Sequence, residues 1–416
     1  ANRLFSLGAG ILLLFFGVSA NASRLVRPLA SVLGWPATRI GGAPGVLARD
    51  NTMRNPKRTA STASALMIGL ALVTFVAILG QGIRSSFESA VDDLFKGDYA
   101  LTSENTFTPL TIAAEKAVRK APNVTAVSGV RAGSARVFGS VENLTGVDTE
   151  LTKVIHLDWK EGSAVVPAQL GRDGAFVDDK FAKKHHLHIG SPISIETPTA
   201  KVLSLRVEGI FKLPKGGSPF GPVTISNQLF DANYINPENE LAFLNVRGGV
   251  SDANTKALEA STKSFADAKI QTSSQFKTNF EKPLNNILSL LYVLLALSVI
   301  VSLFGIVNTL VLTVFERTRE IGMLRAVGMT RRQTRRMIRH ESIVTSLIGA
   351  ALGIVVGFFL AILVTHALSS EGVVFAVPYL SIVYFVIAAI VVGIVAAIWP
   401  ARRAARLNVL EALQYE

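Results

Sequence analysis

The chain contains no cysteine and is poor in charged residues. Charged residues make up 17% of the 416 positions, against about 25% in an ordinary soluble domain. The lack of cysteine excludes disulfides and thiolate metal sites within this chain and leaves its compartment open. Low charge combined with a hydrophobic share of 49% argues against a purely soluble protein.

Signatures of catalysis are also missing. The sequence has no Gly-Lys pair and therefore no Walker A loop for binding ATP. His340-Glu341 begins a zincin-like motif, but Val344 occupies the place of the second histidine. The histidine-rich segment 185–188 follows two lysines and is interpreted as a solvated loop rather than a metal site. We expect neither a catalytic residue nor a metal ligand.

Long uncharged stretches dominate what is present. A helix needs about 20 apolar residues to cross a bilayer. The qualifying stretches are Leu4–Ser23, Thr59–Ile83, Pro283–Phe315, Ser342–Ser370 and Gly372–Ala401. A sixth, Leu25–Gly45, is interrupted by arginines, Pro28 and glycines and is predicted as a short return helix. Pro283 suits the first turn of its helix, whereas Pro400 is expected to end the last one.

Basic residues predict the orientation, because cytoplasmic loops are enriched in Lys and Arg. Basic clusters precede Thr59, fill the loop between Glu316 and Glu341, and follow Ala401. The number of spans between the clusters places all three on the cytoplasmic side. The segment Arg84–Lys282 therefore lies outside. We predict a multi-pass protein of the cell membrane that binds membrane lipid and no nucleic acid.

The outer segment has mixed composition, which predicts an α+β domain. Val124–Val137 and Ala200–Phe211 resemble strands, while Thr111–Lys120 and Ala253–Ala268 have helical periodicity. Pro214–Pro222 is rich in glycine and proline and is predicted as a loop. The stretches next to the membrane, Arg84–Phe95 and Gln275–Lys282, are expected to continue the spanning helices outward.

The segment Glu316–Met329, ERTREIGMLRAVGM, predicts a short amphipathic helix. Its charges alternate in sign, and Ile321, Leu324 and Val327 recur every third residue on one side. Gly322 and Gly328 permit a close approach or a turn. Such a helix could dock into a groove of a soluble partner or lie against lipid headgroups, and its chemistry alone leaves both open.

The same segment resembles the coupling helix of the FtsX-like, or MacB-type, ABC transporter permeases. Residues that fill the pattern E-R-x-x-E-I-G-x-L-R-A-x-G are Glu316, Arg317, Glu320, Ile321, Gly322, Leu324, Arg325, Ala326 and Gly328. The resemblance implies that these residues contact an ABC ATPase dimer. Because this chain has no Walker A loop, ATP and magnesium are expected on that separate ATPase, with no cofactor bound here. Pro400–Leu413 is similar to the family's C-terminal signature, and Leu47–Val73 to the start of its permease module.

The resemblance implies a transmembrane bundle of about six spans with one α+β extracytoplasmic domain of the MacB periplasmic-core type. The extra hairpin at Leu4–Gly45 resembles the connector between two modules of longer, roughly ten-span permeases of Gram-positive bacteria, and Ala1 fits the second half of such a chain. The functional pair could be a homodimer or two modules of one polypeptide. The expected parts are a connector hairpin (1–46), an interfacial helix and span (47–83), the outer domain (84–282), a stalk helix (283–315), a coupling helix with a basic loop (316–341), two spans (342–401) and a tail (402–416).

Glycines recur every fourth residue in one span, at Gly349, Gly353 and Gly357. This spacing places them on one face, where another helix can approach closely. The partner helix could belong to a second module or to the same subunit. The spans are nearly free of ionisable groups, which argues against an ion-coupled carrier.

Two functions fit the resemblance. In the first, ATP hydrolysis by the partner moves the outer domain to export or extract lipophilic molecules, lipoproteins or peptides. In the second, the same machinery transports nothing and activates a cell-wall hydrolase through the outer domain. A membrane-anchored enzyme is disfavoured because 84–282 contains no recognisable catalytic constellation.

Overall fold

The computed structural model describes residues 2–105, 108–213, 220–369 and 372–408. Two compact units make up the chain. The first contains residues up to 82 together with 286–369 and those from 375 onward, and the second contains 83–285 with 370–374.

Helices and strands are numbered along the chain. The helices are α1 (Asn2–Leu33), α2 (Trp35–Gly41), α3 (Ala43–Arg54), α4 (Pro56–Leu94), α5 (Ile112–Arg119), α6 (Leu151–Val154), α7 (Val166–Gln169), α8 (Asp179–His185), α9 (Asn227–Asn233), α10 (Asp252–Thr262), α11 (Ser273–Glu316), α12 (Thr318–Ala326), α13 (Arg331–Ala367) and α14 (Tyr379–Ala405). The strands are β1 (Tyr99–Ser103), β2 (Leu110–Thr111), β3 (Val124–Val137), β4 (Ser140–Val147), β5 (Asp158–Glu161), β6 (Gly174–Asp178), β7 (Pro192–Glu196), β8 (Val202–Lys212), β9 (Val223–Ser226), β10 (Glu238–Val246) and β11 (Ala268–Thr272).

Among the described residues, four helices are long and apolar enough to cross a membrane: α4, α11, α13 and α14. The predicted count of six spans is not confirmed. Leu4–Ser23 lies within α1, but Leu25–Gly45 is divided among the end of α1, the short α2 and the start of α3. The sixth span therefore stays a prediction: α2 and α3, with 7 and 12 residues, are each shorter than a crossing requires.

Proline positions correct three predicted boundaries. Helix α11 begins at Ser273, so Pro283 does not mark its first turn. Helix α14 begins after Pro378 rather than at Gly372, as expected where proline disfavours helical geometry in the preceding residue. Pro400 lies inside α14, which continues to Ala405, so the prediction that it ends the helix is wrong. A proline in a helix removes one backbone donor without always terminating the helix.

The helices of the first unit bury small and large apolar residues between them and leave many other large apolar residues exposed. Ala63, Leu66, Met67 and Leu70 of α4 are buried, as is Ala396 of α14. In contrast, α11 and α14 expose many leucines, isoleucines and valines. Soluble proteins rarely expose such continuous apolar faces, whereas helices in contact with lipid do.

The second unit is an α+β domain built on a mixed sheet of eleven strands. The main path runs β11-β1-β10-β3-β4-β9-β6-β8-β5, while β2 pairs with β10, and β7 pairs with β3 and β8. The β4–β9 and β6–β8 pairs are parallel and the others are antiparallel. Buried aromatic and aliphatic side chains, including Phe176, Phe211 and Leu151, form the core against this sheet.

Several elements of this unit follow the predicted pattern. Strand β3 has the predicted bounds, α5 and β8 differ by one or two residues at each end, and α4 and α11 continue into the unit as expected. The predicted helix Ala253–Ala268 is too long, because α10 ends at Thr262 and Ala268 begins β11. Most of the predicted loop Pro214–Pro222 lies outside the described residues.

Candidate functional site

Helix α12 is a separate short helix between two long ones. It follows α11 directly and ends before Gly328, whose φ of 114° is accessible mainly to glycine. The N–H of Met329 donates to the carbonyl of Leu324 at 3.0 Å, which closes the C-terminus. A capping box of Thr330 and Gln333 then starts α13. The sequence around Gly328 therefore forms a sharp turn, as predicted.

Arg317 anchors the start of α12. Its Nε donates to Oε2 of Glu320 at 2.8 Å, and its Nη2 donates to Oε1 at 2.9 Å. Its Nη1 lies 3.5 Å from Oε2 of Glu341 on α13. Glu341 also accepts from the amide of Asn51 on α3 at 3.5 Å. The planar fork of Arg317 therefore binds Glu320 in a bidentate manner within α12, while its third nitrogen links the start of α12 to Glu341 of α13.

The charges of Arg317 and Glu320 stabilise one another. The hydrogen bond from Arg317 lowers the pKa of Glu320, against the opposing effect of its partial burial. Burial lowers the pKa of Arg317, but the bond to Glu320 and the negative charge of Glu341 outweigh it, so the net shift is upward. Both Arg317 and Glu320 therefore remain ionised at neutral pH, and the pair persists.

Two further contacts tie the ends of the segment to the helical unit. Glu316, the last residue of α11, accepts from the guanidinium of Arg58 on α4. Arg325 donates to the backbone carbonyl of Leu407, just beyond α14. The predicted residues Glu316, Arg317, Glu320 and Arg325 thus make structural contacts within the chain rather than standing free.

The apolar residues of α12 do not form the predicted stripe. Ile321 is 2% exposed and packs with residues of α3, α11, α13 and α14, and Gly322 is also buried. Val327, in contrast, is 90% exposed and Met323 is 49% exposed. The prediction that Ile321, Leu324 and Val327 share one face is wrong, because these residues differ in burial although Val327 still belongs to the last helical turn, where its N–H donates to the carbonyl of Met323 at 3.0 Å.

The outer edge of α12 is the surface available to a partner. We call Met323, Ala326 and Val327 the α12 edge; all three are exposed, and Leu324 is half-buried beside them. The sequence assigned no role to Met323, because its exposure depends on which side of α12 packs against the other helices.

A basic face follows in the first turns of α13. Arg331, Arg332, Arg335, Arg336 and Arg339 are exposed there. They alternate with the buried Thr334, Met337 and Ile338, so the helix is amphipathic before it becomes apolar on all sides. This placement suits either anionic headgroups or an acidic protein surface.

The glycine ladder packs within this chain. A methyl group added at Gly349 would lie 2.7 Å from the carbonyl oxygen of Ala63, and one at Gly353 would lie 2.7 Å from that of Met67. Gly357 approaches the backbone of Ala71 in the same way. All three glycines therefore face α4 of the same chain, which is one of the two packing partners that their spacing allows.

Metal-binding chemistry is not evident in the parts of the chain that the structure describes. Within those ranges no three His, Asp or Glu side chains converge in a way that could hold an ion. His185 ends α8 and its ring stacks on Phe138, with ring centroids 4.3 Å apart.

Comparisons with known proteins agree with this architecture. The family model of the MacB-like periplasmic core domain matches residues 59–262. The model of the FtsX-like permease C-terminal domain matches residues 292–409, which include α12 and the last two long helices. These matches identify the chain as an ABC transporter permease of the FtsX-like, MacB type.

The curated relatives are named as exporters. The macrolide export ATP-binding/permease protein MacB 1 of Yersinia pestis bv. Antiqua (strain Antiqua) is 26% identical, covering 87% of this chain and 59% of the relative. MacB of Photorhabdus laumondii is 27% identical with the same coverage. The pyoverdine export ATP-binding/permease protein PvdT of Pseudomonas fluorescens is 26% identical, covering 87% of this chain and 58% of the relative. The chain thus spans somewhat more than half the length of these relatives.

One solved structure is also similar in part. The extracellular domain of the noncanonic ABC-type transporter YknZ from Gram-positive bacteria aligns with 42% of this chain and 98% of that domain, at a TM-score of 0.31 and 10% identity.

Proposed function

We propose that this permease couples ATP hydrolysis by a partner to movement of its α+β unit, and that it exports or extracts lipophilic, peptide or lipoprotein substrates. The relatives' names support export and do not favour the alternative of a hydrolase activator. Those names also include an ATP-binding part. The partner is therefore an ABC ATPase dimer, supplied by another chain or by another part of the polypeptide, and it carries ATP and magnesium.

The observation that carries the proposal is the α12 edge. Met323 and Val327 are exposed apolar residues at the end of a helix whose opposite side is anchored by Ile321 and Arg317. Exposed apolar residues on a rigid element suit a groove in a partner protein. A force applied to this edge would pass to α13 through Arg317, because that side chain contacts both Glu320 and Glu341. It would reach α3 through the bond between Glu341 and Asn51.

The unbroken helices α4 and α11 support transmission to the outer unit. Each continues past the limits expected for a span, α4 to Leu94 and α11 from Ser273. Long helices resist bending, so a displacement at one end is carried along the helix. The chain is proposed to work as a homodimer or with a second permease module in the bacterial cell membrane.

Association with the ATPase tests the docking step. Val327→Asp places a charge on the α12 edge without disturbing the core, because Val327 is 90% exposed. We expect co-purification with the cognate ATP-binding partner to fall at least about tenfold, the effect of losing roughly 1.4 kcal/mol of contact. Leu324→Asp and Glu320→Lys should act in the same direction.

The matched control is Val202→Asp, which also charges an exposed valine but lies on β8 of the other unit. Equal co-purification of the Val327→Asp and wild-type proteins would contradict docking at the α12 edge. Loss of association in the Val202→Asp variant as well would show that charge insertion acts non-specifically.

The orientation can be tested separately because the sequence contains no cysteine. A single cysteine introduced at position 202 should react with a membrane-impermeant maleimide in intact cells. One introduced at position 327 should react only after permeabilisation. Labelling of position 202 from the cytosolic side alone would refute the proposed direction of coupling.

A further inference from the structure

The α+β unit encloses a cavity of about 610 Å³. This volume lies within the roughly 300–1,000 Å³ of small-molecule sites. Its walls come from the end of α4, strands β3, β4 and β10, and the start of α11. Val91, Leu94, Leu241 and Phe243 are buried wall residues, whereas Ala132 and Glu240 are exposed at its rim. The cavity is therefore reachable from solvent and mainly apolar inside.

Glu240 faces this cavity because of a β-bulge. In the pairing of β10 with β3, Asn239 lies opposite Arg131 and Leu241 lies opposite Val130, so Glu240 is the unpaired extra residue. Neighbouring side chains in a regular strand point to opposite faces, but a bulge can aim two successive residues to one side. Both Glu240 and Leu241 line the cavity. The bulge thus places a carboxylate where a regular strand would not.

Glu240 is the single charged residue among the described wall residues. It has no ion-pair partner within the part of the chain that the structure describes. Its side chain is in contact with water on one side, yet desolvation by the apolar wall raises its pKa. A partly desolvated carboxylate without a cation favours a positively charged ligand over a neutral or negative one.

Aromatic rings complete the site. Phe95, Phe243 and Phe276 all line the cavity, with centroid separations of 4.8 Å between Phe95 and Phe243 and 6.0 Å between Phe243 and Phe276. The faces of such rings attract cations as well as apolar groups. We infer that this cavity binds a lipophilic cation, with Glu240 holding the charge and the phenylalanines holding the apolar body.

This inference deepens the proposed function by naming a class of transported molecule. Its test uses the full chain in phosphatidylcholine nanodiscs, with tetraphenylphosphonium as the probe and empty nanodiscs as the background. The same measurement with tetraphenylborate, which has a similar shape and the opposite charge, separates charge from hydrophobicity. Equilibrium dialysis gives both dissociation constants.

We expect tetraphenylphosphonium to bind the wild-type protein more tightly than tetraphenylborate does. Glu240→Gln keeps the size of the side chain, and it should weaken phosphonium binding about tenfold and improve borate binding. Glu208→Gln is the matched control, because Glu208 is an exposed strand glutamate outside the cavity and its change should alter neither constant. Ala132→Trp should obstruct the rim and weaken binding of both ions.

Circular dichroism of each variant verifies that the fold is retained. Equal phosphonium binding by the wild-type and Glu240→Gln proteins would overturn the assignment of the charge. Unchanged binding in a folded Ala132→Trp variant would overturn the assignment of the cavity. Neither outcome touches ATPase docking at the α12 edge, because no ATP-binding partner is present in this experiment.

Discussion

Replacing Arg317 by methionine tests how firmly α12 is held to the helical unit. The substitution keeps a long apolar stem but removes the guanidinium that contacts Glu320 and Glu341. Glu341 would then retain the amide of Asn51, at 3.5 Å, as its neighbour. The carboxylate of Glu341 would be left largely buried and without its ion-pair partner, with the weaker electrostatic influence of Arg58 remaining.

The expected magnitude follows from burial. The side chains of Arg317 and Glu341 are each 14% exposed, so solvent screens their interaction only weakly. Removing one partner of a buried ion pair costs about 3–5 kcal/mol. The Arg317–Glu341 separation of 3.5 Å is longer than an ideal contact, so we expect the lower end, about 3 kcal/mol. That value corresponds to roughly a hundredfold increase in local opening.

Hydrogen–deuterium exchange in nanodiscs measures this opening directly. Amides of α12 in the Arg317→Met protein should exchange roughly a hundredfold faster than in the wild-type protein. Arg319→Met is the matched control, because Arg319 lies on the same helix but is exposed. Adding Glu341→Gln to Arg317→Met should restore part of the protection, since the unpaired charge is removed. Equal exchange in the Arg317→Met and Arg319→Met proteins would refute the anchoring role.

Two further predictions concern helix packing and pH. Gly353→Ala should lower the free energy of unfolding in detergent by about 1–3 kcal/mol, because its methyl group would press on the backbone of α4. Gly305→Ala is the control and should be neutral or stabilising, since its nearest neighbour, Ala65, lies 3.8 Å away. Similar denaturation midpoints for the two variants would contradict the close α4–α13 contact. Burial and the neighbouring Glu115 raise the pKa of Asp148 to about 6 from 3.8. The folded state therefore binds the proton more tightly than the unfolded state, and stability is lost as pH rises from about 4 to about 6. Asp148→Asn should reduce this loss of stability by about 1–3 kcal/mol. Thermal melting, followed by tryptophan fluorescence in a variant that keeps Trp159 as its single tryptophan, measures the difference. An unchanged pH dependence would show that another group is responsible.

The long helices and the division of the chain could be predicted from sequence because they depend on length and hydropathy. Thr59–Ile83 and Ser342–Ser370 fall largely within α4 and α13. The positions of helix ends were less predictable. The end of α14 could not be predicted from the helix-breaking tendency of Pro400, because tertiary packing allows a helix to continue past a proline.

The candidate docking surface was only partly predictable. The motif from Glu316 to Gly328 identified the segment, but not which residues the chain itself would use. Ile321 is apolar like Val327, yet one is buried among four helices and the other is exposed. The spacing of apolar residues in a nine-residue helix cannot tell a buried position from an exposed one, because burial depends on which side the neighbouring helices cover. The cavity beside Glu240 was not predicted at all, because it depends on a bulge in β10 that leaves no clear sequence signal.

Site-specific crosslinking from position 327 tests the central claim most directly. A photoreactive amino acid at this position, with position 202 as the control, would be activated in cells that produce the permease and its cognate ATP-binding partner. Docking at the α12 edge predicts a crosslink to the ATP-binding partner from position 327 and none from position 202. Crosslinks from position 327 to lipid alone, in cells where the partner is present, would contradict it.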